Sequence, residues 1–263
     1  ENFANISGFG DVSCGGDCNG SGIYFESTSN SELLNITTNF NSIFGVYLSS
    51  SNNNTLSNIT SNNNTNHGVY LQSSNNNHLS DVVANGNQNR GVYLFSSSNN
   101  NLSLIIANNN KNDNGVHLQS SSNNNVLSSI TTTNNRINGV AVQTSSNNIL
   151  SFILSNNNNN SGINLYSSSN NNTLSNITSN NNTDKGVYIQ SSNNNQLSNI
   201  TTDSNHNSGI HLILSSNNNT LSNITSNNNT NNGVYIQSSS GNMLSSVVAN
   251  SNSQSGIYFF FLS

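Results

Sequence analysis

Apolar residues along this chain fall on a fixed lattice. The motif Gly-(Val/Ile)-x-(Leu/Ile/Val/Phe) recurs at Gly22, Gly45, Gly68, Gly91, Gly115, Gly139, Gly162, Gly186, Gly209, Gly233 and Gly256, at intervals of 23 or 24 residues. Each glycine but the last is followed 11 or 12 residues later by a second apolar pair: Leu33/Ile36, Leu56/Ile59, Leu79/Val82, Leu102/Ile105, Leu127/Ile130, Leu150/Ile153, Leu174/Ile177, Leu197/Ile200, Leu221/Ile224 and Leu244/Val247. Within the first motif, inward residues flank an outward one, as in Val46-Tyr47-Leu48, which is the period of a strand. β-branched residues dominate, and the apolar runs are too short for helices.

A repeat of this length with two short strands per unit predicts an all-β solenoid, a right-handed parallel β-helix of about eleven stacked coils. Residues 22–263 form the repeats and close on an open half-coil, while 1–21 read as an N-terminal half-coil with a Cys-containing insertion. The chain has no Pro, as a continuous parallel sheet requires, because Pro cannot donate to the ladder.

Polar positions keep the same phase. Asn54, Asn77, Asn100, Asn125, Asn148, Asn172, Asn195, Asn219 and Asn242 stand two residues before the Leu column. Asn39, Asn62, Asn85, Asn108, Asn156, Asn180, Asn227 and Asn250 stand three after the Ile/Val column, with Thr133 and Asp203 in the remaining full coils. Stacked amides can donate and accept along the solenoid axis, and Asn tolerates the left-handed backbone of sharp corners. The run GVYLQSSNNNTLSNIT thereby resembles the parallel β-helix repeats of the NosD-like and carbohydrate-binding/sugar-hydrolase group and of Asn/Ser-rich microbial surface proteins. That resemblance spans residues 22 to 259. It implies the fold strongly and function weakly, since such repeats occur in lyases, hydrolases, epimerases, metal-delivery proteins and surface structures.

Asn makes up about a quarter of the chain, and low hydrophobicity of this kind usually accompanies disorder; the regular apolar columns argue against it here. Nine acidic and four basic residues give a net charge of -5. So few basic residues leave no footprint for nucleic acid or anionic lipid, and no apolar run approaches a membrane span.

Chemistry is hard to find at this level. The acids are thinly spread, and Asp113 and Asp184 lie three coils apart, too far for a glycosidase pair. His117 and His211 share a column but lie four coils apart, and His67, His78 and His206 stand elsewhere, so no metal or other cofactor is expected. His67, Arg90 and Lys185 immediately precede glycines and read as solvated turn residues. The outward column, with Tyr47, Tyr70 and Tyr93 at its heart, reads first as a cross-strand ladder and alternatively as a sugar-binding face. Cys14 and Cys18 in CGGDC are expected to form a terminal disulfide, which points to an oxidising, extracellular location. Asn35, Asn58, Asn176, Asn199 and Asn223 head Asn-x-Ser/Thr sequons in one corner column and are glycosylation candidates.

The ends suggest assembly. Phe3 and Ile6 resemble the second motif, and Phe259, Phe260, Phe261 and Leu262 extend an unfollowed first motif, so two copies could complete a coil head to tail. These features together lead to an expectation of an extracellular, non-enzymatic and glycosylated structural protein that forms a surface filament, sheath or stalk. The alternative is a carbohydrate-binding or polysaccharide-processing β-helix that uses the Tyr face.

Overall fold

A computed structural model describes residues 20–261. Cys14, Cys18, Phe3, Ile6 and Leu262, with the expected disulfide and the N-terminal half-coil, lie outside the described residues. The chain winds into a right-handed parallel β-helix of two sheets. One sheet takes eleven four-residue strands, from Ile23–Glu26 to Ile257–Phe260; the other takes ten longer strands, from Glu32–Thr37 to Met243–Val248. Every pairing is parallel and joins a strand to its equivalent one coil on, so Val46 faces Val69 and Leu56 faces Leu79. Coils are numbered below by their glycines, from Gly22 (coil 1) to Gly256 (coil 11).

The core is the stack of apolar columns read from the sequence. In coil 3, Val69, Leu71, Leu79 and Val82 have no exposed surface. In the first sheet the inward residues are two apart, as strand geometry dictates, but in the second they are three apart. A left-handed residue between them explains the difference. Asn58, at φ 52°, lies between Ser57 and Ile59 and acts as a bulge that returns Ile59 to the interior. The corresponding residue in all ten coils has φ between 52° and 56°, and Asn occupies it in five.

Polar order is as strict as apolar order. The Asn54-to-Asn242 column is buried through most of its length, and each amide oxygen accepts from the coil before: Asn77 Nδ2 donates to Asn100 Oδ1 at 3.1 Å, and the Asn77 backbone N–H donates to the same oxygen at 2.8 Å. A second buried ladder runs through Asn41, Asn64, Asn87, Asn110, Asn135, Asn158, Asn182, Asn205, Asn229 and Asn252, as in Asn135 Nδ2 to Asn158 Oδ1 at 3.1 Å. This column is Asn in all ten coils and was missed in the sequence, where the surrounding Asn runs conceal it. The column three after Ile/Val works in the opposite direction: Asn62 Oδ1 accepts from the Asn85 backbone N–H at 2.7 Å. Glycine is required where these ladders meet the first sheet. A Cβ on Gly45 would sit 1.7 Å from Ser61 Oγ and 2.7 Å from Gly68 O.

Two coils break the pattern of the bulge column. Leu104 and Phe152 hold left-handed φ of 54° with bulky apolar side chains that are 58% and 62% exposed. With Ile106, Ser129, Thr131 and Leu154 they line an open groove of about 490 Å³ on the outer face of the second sheet. Left-handed backbone costs a residue with a Cβ about 1–2 kcal/mol, and Asn less. Replacing Phe152 or Leu104 by Asn is therefore expected to raise stability by about 1 kcal/mol each, read as a higher unfolding midpoint; a lower midpoint would show that these side chains stabilise the fold. Conversely, Asn148→Ala strips partners from Asn125 Nδ2, the Asn125 N–H and the Asn172 oxygen. A loss of about 3 kcal/mol is expected in chemical unfolding, and a change near zero would contradict the ladder's role.

Candidate functional site

The outer face of the first sheet is built from three columns. The central one reads Tyr24, Tyr47, Tyr70, Tyr93, His117, Ala141, Asn164, Tyr188, His211, Tyr235 and Tyr258. On one side stand the residues that precede each glycine, among them Phe44, His67, Arg90 and Lys185. On the other stand Gln72, Phe95, Gln119, Gln143, Tyr166 and Gln190.

Parallel register places the tyrosines ring on ring. Tyr47 and Tyr70, and Tyr70 and Tyr93, have centroids 4.9 Å apart with planes 6° and 7° from parallel. Their π faces are spent on one another, so Tyr47 and Tyr93 are buried and Tyr70 is half-buried. They form the expected ladder, and only edges and hydroxyls reach outward. The hydroxyls are tied down as well: Tyr47 donates to Gln72 Oε1, and Tyr93 donates to Gln119 Oε1 at 2.7 Å.

Where the ladder ends, charged and titratable groups converge. Arg90 is not a solvated turn residue. Its guanidinium lies 4.1 Å over the Tyr93 ring and pairs with Asp113 Oδ2 at 2.7 Å, with 19% of each side chain exposed. Asp113 is one coil on from Arg90, and its other oxygen accepts from the Asn114 backbone N–H and Nδ2 at 2.8 and 2.6 Å. His117 takes the place of tyrosine in coil 5, is 3% exposed, and lies 5.6 Å from Tyr93 ring to ring. Ala141 then leaves a gap, into which Tyr166 reaches back from coil 7. Its hydroxyl donates to Gln143 Oε1 at 2.9 Å and stands 3.5 Å from His117 Nε2. Burial first, and the Arg90 charge second, lower the His117 pKa to about 3, while burial raises that of Tyr166. At neutral pH the pair is thus a neutral imidazole facing a protonated phenol.

The same arrangement recurs four coils further on. Lys185 lies 4.4 Å over Tyr188 and pairs with Asp184 Oδ2 at 2.6 Å. His211 follows Tyr188 in the column at 5.5 Å, as His117 follows Tyr93. Among the described residues no group of three or more His, Cys, Asp or Glu could hold a metal ion, and no helix is long and apolar enough to cross a membrane. The glycosylation candidates Asn35, Asn58, Asn176, Asn199 and Asn223 are exposed on the second sheet, and several bond to one another, as Asn58 Nδ2 to Asn35 Oδ1 at 2.7 Å. Phe259 and Phe261 are about half exposed.

The profile of the right-handed β-helix region matches residues 13–157 and 152–263. The chain belongs to this right-handed β-helix family. No curated protein matches it. Among solved structures it is similar to the A-module of a mannuronan C-5 epimerase from Azotobacter vinelandii, with 18% identity, a TM-score of 0.71, and coverage of 91% of this chain and 75% of that one. A periplasmic alginate epimerase shares 12% identity at a TM-score of 0.59, covering 88% and 68%. The catalytic domain of a GH87 α-1,3-glucanase shares 12% at 0.57, covering 93% and 51%. At such identities the likeness establishes a shared fold.

These findings overturn the expectation of a non-enzymatic structural filament. The solved structures named here are polysaccharide enzymes, which favours the alternative reading. Along the sequence the charges look isolated when acid is set against acid and His against His. The coil register instead joins unlike groups, Arg90 to Asp113 and His117 to Tyr166.

The histidines give a pH signature. Burial lowers the pKa of His67 and His117 to about 3 and of His211 to about 4. Below about 6.5 the unfolded chain binds protons that the native state refuses, so stability is complete above that value and declines as pH falls toward 3 to 4. Each histidine should contribute about 1 kcal/mol one unit below 6.5. Unfolding midpoints across this range should flatten in His67→Gln and His117→Gln variants; an unchanged slope would refute the assignment.

Proposed function

We propose that this chain is a polysaccharide-processing enzyme acting on uronate-containing polymers, with its reaction centre at Arg90, His117 and Tyr166. The carrying observation is the convergence of a guanidinium, a neutral buried imidazole and a protonated phenol at one end of the tyrosine ladder. The epimerases among the similar solved structures support the substrate class by analogy.

The chemistry follows from what each group has left to give. Hydrolysis of a glycosidic bond ordinarily uses two carboxylates, and this cluster has one, Asp113, whose oxygens are both occupied. Proton abstraction next to a sugar carboxylate needs a cation to neutralise the carboxylate and a base for the adjacent C–H. Arg90 supplies the cation. The Tyr166 oxygen takes the C5 proton once its hydroxyl, which donates to Gln143 Oε1 in the free protein, turns its own proton to His117 Nε2, the imidazole carrying its N–H on Nδ1 for this step. An incoming carboxylate also favours the charged imidazolium, which offsets the burial that lowers the His117 pKa in the free protein. Delivery of a proton from water to the opposite face, with the imidazolium returning its proton to solvent, gives epimerisation; departure of the 4-linked sugar, its oxygen protonated from the Tyr166–imidazolium pair, gives β-elimination. A protein that acts on such polymers works where they lie, outside the cytoplasm.

Mannuronan incubated with the protein is expected to show C5-inverted residues by proton NMR, or unsaturated chain ends by ultraviolet absorbance. Tyr166→Phe should lower the rate by about 100-fold or more with an unchanged unfolding midpoint. Full activity in that variant, or no turnover of any uronate polymer by the native protein, would overturn the proposal.

A further inference from the structure

Buried polar atoms without partners are costly and call for an explanation. Nine such side-chain atoms occur among the described residues, and six belong to the columns of this one face: Ser21 Oγ at its first coil and, further along, Arg90 Nε, Ser161 Oγ, Asn164 Oδ1 and both ring nitrogens of His211. The last five trace a line along the solenoid axis from coil 4 to coil 9. His211 is the clearest case. It is 7% exposed, stacked on Tyr235 at 4.4 Å, and Gln237 lies beside it without meeting hydrogen-bond geometry at either nitrogen. Its counterpart His117 has Asn114 Nδ2 and the Tyr166 hydroxyl within 3.5 Å of its two nitrogens. One copy of the repeated arrangement is internally supplied with partners, and the other is open.

The free valences define what would fill it. Asp184 is engaged at both oxygens, Oδ2 by Lys185 and Oδ1 by Asn207 Nδ2 at 2.9 Å. Lys185 retains further N–H donors and is only 12% exposed. His211 offers one N–H and one lone pair, and Asn164 offers an acceptor. A ligand that brings both a carboxylate and hydroxyls meets the Lys185 donors directly, and the His211 and Asn164 atoms, closed to solvent in the free protein, as those side chains turn toward it; a uronate sugar is such a ligand. Arg90 and Lys185 occupy the same column four coils apart, about 19 Å at the usual strand spacing, with the small Ala141 and Asn164 in the central column between them.

We propose that Lys185, His211 and Asn164 form a second carboxylate-binding subsite, so that one polyuronate chain lies along the axis and engages the Arg90 and Lys185 centres together. This rests on the reading of the Arg90 centre given above and adds a length requirement to it. Linked sites raise the affinity of long chains well above that of short ones.

The test is calorimetric binding of polymeric mannuronan, with turnover of short oligomannuronates measured in parallel, for the native protein, an Asp184→Asn/Lys185→Met pair and His211→Gln. The pair removes both charges and strands neither. Polymer affinity is expected to fall by about tenfold or more in each variant, with short-oligomer turnover unchanged and dextran, a neutral polymer, bound by none of the proteins. Native-like polymer affinity in these variants overturns the second subsite, as does equal binding of dextran. If the double variant does not fold, His211→Gln alone decides in the same two directions. Failure of the Arg90 reading looks different: no turnover at all, while the Lys185 and His211 variants still lose polymer affinity.

Discussion

The fold depends on one contact repeated along the axis: an amide in one coil donating to the same amide in the next. A solenoid whose coils hold so few apolar residues has a thin core, and apolar contact alone would let adjacent coils slide. Buried Asn side chains prevent this, because a coil displaced by one residue would leave Asn135 Nδ2 and Asn158 Oδ1 unpaired in a dry interior. Two such ladders, one beside each end of the second sheet's strands, pin every coil in rotation and register. The high Asn content, which in most chains signals disorder, is here the source of order.

Strict register has a functional consequence. Side chains that leave the outer face of the first sheet do so in straight columns, so a residue acts with its neighbours one coil away more than with those beside it in sequence. Stacked tyrosines make a rigid floor whose faces are closed to ligands. The proposed reaction centre sits where the ladder is interrupted, at His117, Ala141 and Asn164, where a guanidinium, an imidazole and the Tyr166 phenol meet across coils. The same face concentrates most of the unsatisfied buried polar atoms, which a native fold tolerates poorly unless a bound partner completes them.

The solenoid and its repeat were legible, because the glycine, valine and leucine columns each carry a single physical demand that one residue type meets. One polar ladder was legible and the other was not: Asn41 to Asn252 is unbroken, but it sits inside Asn runs where no contrast marks it. The bulge that spaces Leu56 and Ile59 three apart was visible as an anomaly of strand period, and the conserved left-handed conformation of Asn58 and its counterparts explains it. The site was hidden for a different reason. Arg90 and Asp113 are 23 residues apart, and Tyr166 reaches His117 over two coils, so no local motif contains them. A signal existed in the doubled arrangement of a cation before glycine, a tyrosine three residues on, and a histidine one coil later, as in Arg90, Tyr93, His117 and Lys185, Tyr188, His211.

The most direct measurement is a crystal structure of the protein with an oligomannuronate long enough to span coils 4 to 9. The account predicts sugar residues lying along the axis on the outer face of the first sheet, with one carboxylate at Arg90 and another at Lys185. Sugar bound instead in the groove between Leu104 and Phe152 on the second sheet, or no ordered sugar at saturating concentration, would contradict it.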